Sequence, residues 1–219
     1  KEIGIAPYGK RFSKSQPIAE IVKDFKEETL VETAGRILAL REHGKSSFLD
    51  LKDSGGRIQV YVKANTVGVE IYNTIFKRLD IGDILGVKGK LFKTRTGEVT
   101  IKAEEITVLS KGLRPLPEKW HGLKDVEIRY RQRYVDLIVN EDVRNVFKLR
   151  AEITSKIRSF LDKKGFLEVE TPMMHQMAGG AAGDPFKTHH KALSMDLYLR
   201  LAPELYLKKL LVGGFDKVY

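Results

Sequence analysis

From residue 30 to residue 110 apolar and polar side chains alternate with a period of two, in five runs at residues 30–41, 47–52, 57–63, 83–94 and 98–109. Successive side chains of a strand point to opposite faces, so each run predicts a half-buried strand. Ser54-Gly55-Gly56 between the second and third runs and Thr96-Gly97 between the fourth and fifth predict hairpin turns. Between the third and fourth runs Val67, Ile71, Ile75 and Leu79 recur every four residues and predict one amphipathic helix. Five antiparallel strands with a helix after the third is the order of an OB-fold, a partly open barrel that often binds oligonucleotides.

On either side of this block the period lengthens. Residues 1–29 form a lead-in segment, in which Ile18, Ile21, Val22 and Phe25 predict a short helix. Gly112, Pro115, Pro117 and Gly122 break any period and place a linker at residues 111–122, so that the barrel domain spans residues 30–110 and a second domain spans 123–219. In the second domain Asn140 is the expected cap of a long helix, with Glu141 and Asp142 in its first turn and Lys163 and Lys164 before Gly165. Val143, Val146, Phe147, Ile153, Ile157, Phe160 and Leu161 make one apolar stripe along it, over roughly 36 Å at the helical rise. Beyond it, residues 166–170 read as a strand stopped by Pro172, residues 186–189 and 197–201 as two more, and a helix opens at Pro203 and ends at Gly213-Gly214. Strands and helices in separate blocks make the fold class α+β.

The composition narrows the function. Thirty-nine basic residues against 29 acidic give a net charge of +10, which favours a polyanionic partner, a polynucleotide ahead of an anionic membrane surface. No apolar run approaches the roughly 20 residues that span a bilayer, since Lys208 and Lys209 break the run from Leu205 to Val212. The chain has no cysteine, so it has neither disulfides nor thiolate metal sites and is compatible with a reducing, cytoplasmic setting. It opens at Lys1 rather than methionine and stops at Tyr219 within an apolar run, so both ends are expected to be trimmed, and a removed targeting segment stays open.

Several residues are candidates for chemistry. In the second strand Leu49 and Leu51 share one face and Phe48, Asp50 and Lys52 the other; in the third, Ile58, Val60 and Val62 oppose Gln59 and Tyr61. An aromatic ring on a polar face beside an amide suits an unstacked base; equally, Phe48 can pack beneath the lead-in helix. Arg129, Arg131 and Arg133 among Tyr130 and Tyr134 can grip phosphates or form a solvated helix face. His189 and His190 are neighbours on a strand and so face opposite sides, which favours structural roles over a shared metal. There is no carboxylate pair, Ser/His/Asp set or Walker-type loop, and the Gly-Ala loop at residues 178–183 reads first as a turn. Glu204, after Pro203 at a helix start, reads either as a partner of the helix dipole or as a ligand group delivered to a strand end.

The strings "GDILGVKGKLFKTRTGEVTI", "LRPLPEKWHGLKDVEIRYRQRYVDL", "GFLEVETPMM", "AGGAAGDPFKTHH" and "YLRLAPELYLKKLLVGGFDKVY" closely resemble lysyl-tRNA synthetases from about residue 30 onward. "GFLEVETPMM", residues 165–174, is similar to class II motif 1, where a long helix and a strand ending in proline, here Pro172, make a homodimer interface. "KGLRPLP" through "RYRQRYVDL" resembles the subgroup shared with aspartyl and asparaginyl enzymes, and "APELYLKKL" resembles its lysyl form.

The resemblance implies an OB-fold anticodon-binding domain followed by the truncated start of a class II antiparallel-sheet catalytic domain. It implies that Phe48 stacks a base of the U-rich lysine anticodon while Gln59 and Glu98 help to read it, and that Gly180 and Glu204 contact the substrate lysine. A carbonyl and a carboxylate suit an ammonium, which is costly to bury unpaired. It further implies tRNA-Lys, L-lysine, ATP and a second copy of the chain as partners, no membrane, and a cytoplasmic enzyme. No catalytic or metal-binding residue is expected in this fragment. The motif 2 and motif 3 arginines and the acids that bind Mg²⁺ are expected beyond residue 219. Asp184 departs from the family, which usually has a basic residue there. The alternative is a non-catalytic OB-fold tRNA-binding protein with a degenerate synthetase-like dimerisation domain. The lysyl ligase that modifies an elongation factor shares the catalytic fold but lacks an OB-fold.

Overall fold

The computed structural model describes residue 9 and residues 11–44, 46–117 and 123–219, so most of the first ten residues of the lead-in segment and residues 118–122 of the expected linker lie outside the described residues. The chain divides into two compact units, Lys1–Val135 and Asp136–Tyr219.

In the first unit the short helix α1 (Ile18–Lys23) precedes strands β1 (Leu30–His43), β2 (Ser46–Lys52) and β3 (Arg57–Lys63), helices α2 (Ala64–Val67) and α3 (Val69–Thr74), and strands β4 (Ile84–Lys93) and β5 (Val99–Ser110). The strands close into a barrel in the order β1-β2-β3-β5-β4. The sequence pattern implied antiparallel pairing in a partly open barrel, whereas β3 and β5 pair in parallel and the barrel is closed. An odd number of strands cannot alternate direction around a closed ring, so one seam must be parallel, and it falls where the helical crossover lets β5 arrive in the direction of β3.

Alternation decides what fills the barrel. Ile37, Leu49, Leu51, Ile58, Val60, Val62, Leu85, Val87, Leu91 and Ile101 point inward and are buried, and α1 adds Ile18 and Ile21. The predicted single helix is broken at Gly68, whose φ of 97° ends α2 before α3 begins. The break resets the helical phase, so Val67, Tyr72, Phe76 and Leu79 are the buried side chains, while Ile71 is exposed. The rings of Tyr72 and Phe76 stack at 5.0 Å, and Tyr72 shares a 2.7 Å hydrogen bond with the buried hydroxyl of Ser47.

Two acids tie the barrel's loops. Asp53 accepts from the backbone N–H groups of Ile18, Gly55 and Gly56, which fixes the β2–β3 turn and docks α1 against it. Asp83, fully buried, accepts from Lys111 Nζ at 2.5 Å and from the N–H groups of Asp80 and Gly112, which sets where the chain leaves β5.

Helix α4 (Val126–Arg131) lies in the first unit, and α5 (Arg133–Val139), which spans the division, leads into the long α6 (Glu141–Lys163). Asn140 occupies the N-cap position of α6 without a side-chain capping bond; its Nδ2 donates instead to the buried Asp136 at 2.6 Å. At the other end the N–H of Gly165 bonds to Asp162 O and that of Phe166 to Leu161 O, a Schellman closure that uses the positive φ of Gly165. Val143 is the one buried apolar side chain among the described residues of the second unit; Val146, Phe147, Ile153, Ile157 and Phe160 are exposed.

Residues 166–170 are not a full strand. They are extended and pair in parallel with residues 217–219 through Leu167 and Val169. A three-stranded antiparallel sheet has β8 (Met195–Leu199) between β6 (Met174–His175) and β7 (Lys187–His190). Helix α7 (Glu204–Val212) follows Pro203 and ends at Gly213 and Gly214, as its sequence predicts. Among the described residues no helix is long and apolar enough to cross a membrane.

Candidate functional site

The outer face of the barrel carries the first group of candidates. Phe48 on β2 is in register with Tyr61 on β3, and Asp50 with Gln59. Across the parallel seam Gln59 is in register with Thr100 and Tyr61 with Lys102, and Phe92 on β4 faces Thr100. Pleating points all of these side chains away from the core, so four strands build one mixed surface.

Its aromatic part is a row of three rings. Phe48 and Tyr61 lie 4.9 Å apart between centroids, and Tyr61 meets Phe92 edge-on at 6.3 Å. All three are partly exposed. Phe48 therefore does not lie in the core beneath α1, whose buried contacts are made by Ile18 and Ile21.

The polar part is a continuous network. Arg41 grips both oxygens of Asp50, at 2.8 and 3.2 Å, and this hydrogen bond holds the Arg41 guanidinium above its ordinary pKa against the opposing effect of burial. Arg57 lies 3.8 Å from Asp50 and donates to Glu98 Oε1 at 3.4 Å. Gln59 Nε2 donates to Glu98 Oε2 at 3.1 Å, and the Thr100 hydroxyl lies 2.9 Å from Gln59 Oε1. Asp50, Gln59 and Thr100 are buried although they belong to the outer face, because the two arginines and Glu98 cover them. Glu98 is placed by the β4–β5 turn, where its N–H bonds to Thr94 Oγ1 and Gly97 has a φ of 83°.

Phe48, Gln59 and Glu98 are thus brought onto one surface by two strands and the β4–β5 turn. Sequence reasoning placed Asp50 and Tyr61 on this face; it missed Arg41, Arg57, Phe92 and Thr100 as neighbours. Register alone joins them, and no local signal in the chain marks it.

In the second unit, Gly180 and Glu204 come from different segments. Gly180 has a φ of 99°, and a Cβ there would lie 2.8 Å from Ala202 O, so the Gly-Ala loop backs directly onto the residues that open α7. Glu204 is exposed, and Lys208 Nζ donates to its carboxylate at 2.6 Å. That hydrogen bond holds the Glu204 carboxyl below the ordinary glutamate range. Pro172 is exposed and precedes β6.

The remaining candidates have local partners. His189 Nδ1 bonds to Asp196 at 2.9 Å, and Lys187 bonds to the same carboxylate. His190 Nδ1 accepts from the Leu193 N–H. Arg131 pairs with Glu127 one turn away, and Arg133 lies over the Tyr130 ring. Among the described residues no group of three or more His, Asp or Glu side chains could hold a metal ion.

Comparison with known proteins finds a similar family for each region. Residues 31–109 match the OB-fold nucleic acid binding domain of the tRNA anti-codon family, and residues 125–219 match the class II tRNA synthetases (D, K and N). Over its whole length the chain is 58% identical to the lysine--tRNA ligase of Carboxydothermus hydrogenoformans and covers 45% of that protein. It is 60% identical to that of Pelotomaculum thermopropionicum, covering 44% of it, and 52% identical to that of Magnetococcus marinus, covering 45% of it. The chain spans somewhat less than half the length of the curated relatives it matches.

Proposed function

Residues 31–109 belong to the OB-fold anticodon-binding domains and residues 125–219 to the class II tRNA synthetases, and from that premise we propose that the whole protein joins L-lysine to tRNA-Lys. This chain supplies the anticodon-binding barrel and part of the lysine site. The observation that carries the reading is the barrel surface that holds the Phe48–Tyr61 ring pair together with the linked Gln59 and Glu98 side chains. A ring offers a stacking face of the right kind for any base, and an amide beside a carboxylate offers a donor and acceptors for a base edge. The net charge of +10 supports a polyanionic partner.

In the second unit Glu204 and the backbone at Gly180 hold the substrate's side-chain ammonium. The reaction is attack of the lysine carboxylate on the α-phosphate of ATP, with loss of pyrophosphate, followed by transfer of the lysyl group from the adenylate to a hydroxyl at the tRNA 3′ end, with release of AMP. ATP with Mg²⁺ supplies the activated phosphate; the residues of this chain bind and orient the amino acid. The second copy of the chain packs along α6 and Pro172, since the apolar stripe of α6 is exposed, and the protein works in the cytoplasm.

The test has two parts. The 219 residues are expected to bind an anticodon stem-loop with an all-U anticodon more tightly than one with an all-A anticodon, and to give no lysine-dependent ATP–pyrophosphate exchange. A chain of the relatives' full length is expected to exchange. Equal binding of the two loops would remove the anticodon assignment, and a full-length chain that binds the loop but never exchanges would favour the non-catalytic alternative.

A further inference from the structure

Thr100 was not among the residues the sequence singled out, yet it is fully buried on the outer face of the barrel, directly beneath the Gln59 amide. Gln59 is itself nine-tenths buried, and both ends of its side-chain amide are engaged. Oε1 faces the Thr100 hydroxyl at 2.9 Å, a hydroxyl that also lies 3.1 Å from the Glu98 carbonyl oxygen, and Nε2 faces Glu98 Oε2 at 3.1 Å. A carboxylate only accepts, so an amide turned over would set two acceptors against each other at the Glu98 end. Arg57, donating to the other oxygen of Glu98, keeps that carboxylate in place. The amide has one orientation, with Glu98 selecting it and Thr100 anchoring the oxygen end.

We propose that Thr100 is a positioning residue for base discrimination, holding the Gln59 amide in the orientation that reads uracil rather than cytosine. With one N–H engaged by Glu98 and one lone pair by Thr100, the amide has a second N–H and a second lone pair to offer a base. Uracil presents an N3–H donor beside a carbonyl acceptor, whereas cytosine presents an N3 acceptor beside an amino donor. For a base held in one place by stacking on Phe48, the amide atom opposite N3 decides between them: the oxygen accepts from uracil N3–H, the nitrogen donates to cytosine N3. Turning the amide over would exchange the two preferences. Loosening it would blur them, and Thr100 is the group whose loss loosens it without touching the base.

This inference rests on the anticodon reading of the barrel, and the experiment separates the two. Fluorescence anisotropy is measured for the chain with stem-loops whose anticodon is all U or carries a single C at each position in turn. The unaltered protein is expected to prefer the all-U loop over at least one C-bearing loop. Thr100→Val, which keeps the shape and removes the hydroxyl, is expected to lose at least about fivefold of that preference, as loosening half of a bidentate base contact implies, with the slope of affinity against salt unchanged. Thr100→Ser is expected to restore the preference. Should the valine variant fold poorly, judged by its urea midpoint, Thr100→Ala serves as the second hydroxyl-free variant. A preference retained in the hydroxyl-free variants, or lost equally in Thr100→Ser, overturns the role of Thr100 and leaves the anticodon reading intact. No preference in the unaltered protein overturns both.

Discussion

Lys208 reaches back one turn of α7 to place its ammonium 2.6 Å from the carboxylate of Glu204, so the acid proposed to hold a substrate ammonium already holds one. The pair is exposed, and a substrate must displace a side-chain cation that solvent can accept. Glu204 is expected to titrate below the ordinary glutamate value of 4.5, followed by carboxyl NMR, and Lys208→Met is expected to move it back up. In a full-length chain Glu204→Ala is expected to lose lysine-dependent ATP–pyrophosphate exchange. Normal exchange in that variant would reduce Glu204 to an acid at a helix start.

Phe48→Ala is expected to weaken binding of an all-U anticodon stem-loop by about 1 to 3 kcal/mol, the usual worth of one base stack. No phosphate contact is removed, so the dependence on salt is expected to stay the same. Affinity unchanged within error would make Phe48 a packing partner of Tyr61 and nothing more.

Ile157, Phe160 and Ile153 lie exposed along α6, and a helix with an apolar stripe needs a surface to cover it. Ile157→Glu is expected to dissociate a full-length homodimer, read by sedimentation velocity as a shift to monomer. A full-length protein that sediments as a monomer before any substitution would leave this face without the proposed partner.

Acid sensitivity is expected to arise partly at the β2–β3 turn. Burial pushes the Asp53 carboxyl up, but the N–H groups of Ile18, Gly55 and Gly56 and the Lys14 ammonium outweigh it and hold the pKa below 3.8. A carboxyl whose pKa is lower folded than unfolded contributes stability above the unfolded value and loses it as pH falls through the folded one. Urea midpoints of the unaltered chain are therefore expected to fall between about pH 5 and pH 2. Asp53→Asn is expected to be less stable at neutral pH and to show a shallower fall. Parallel curves for the two proteins would assign the acid sensitivity elsewhere.

Much of the architecture was legible because period-two and period-four patterns report which face of an element is buried, and that is a local property. Ile58, Val60 and Val62 had to share one side of β3, leaving Gln59 and Tyr61 on the other, and they do. Gly165 and Gly214 mark helix ends because a positive φ is cheap only for glycine. The similarity to lysine--tRNA ligases was also legible in the chain, since the strings that carry it are runs of neighbouring residues. Tertiary structure alone decided what depends on register and on breaks. The parallel β3–β5 seam, which brings Thr100 against Gln59, follows from closing an odd number of strands into a ring. Gly68 shifts the helical phase so that Tyr72 and Phe76 replace Ile71 in the core. Asp50 is buried on an outer face because Arg41 and Arg57, seven or more residues away on neighbouring strands, close over it. Side-chain periodicity along one strand carries no information about which residue of another strand lies beside it; hydrogen-bonded pairing supplies that, and the surface proposed to read a base is made of such pairs.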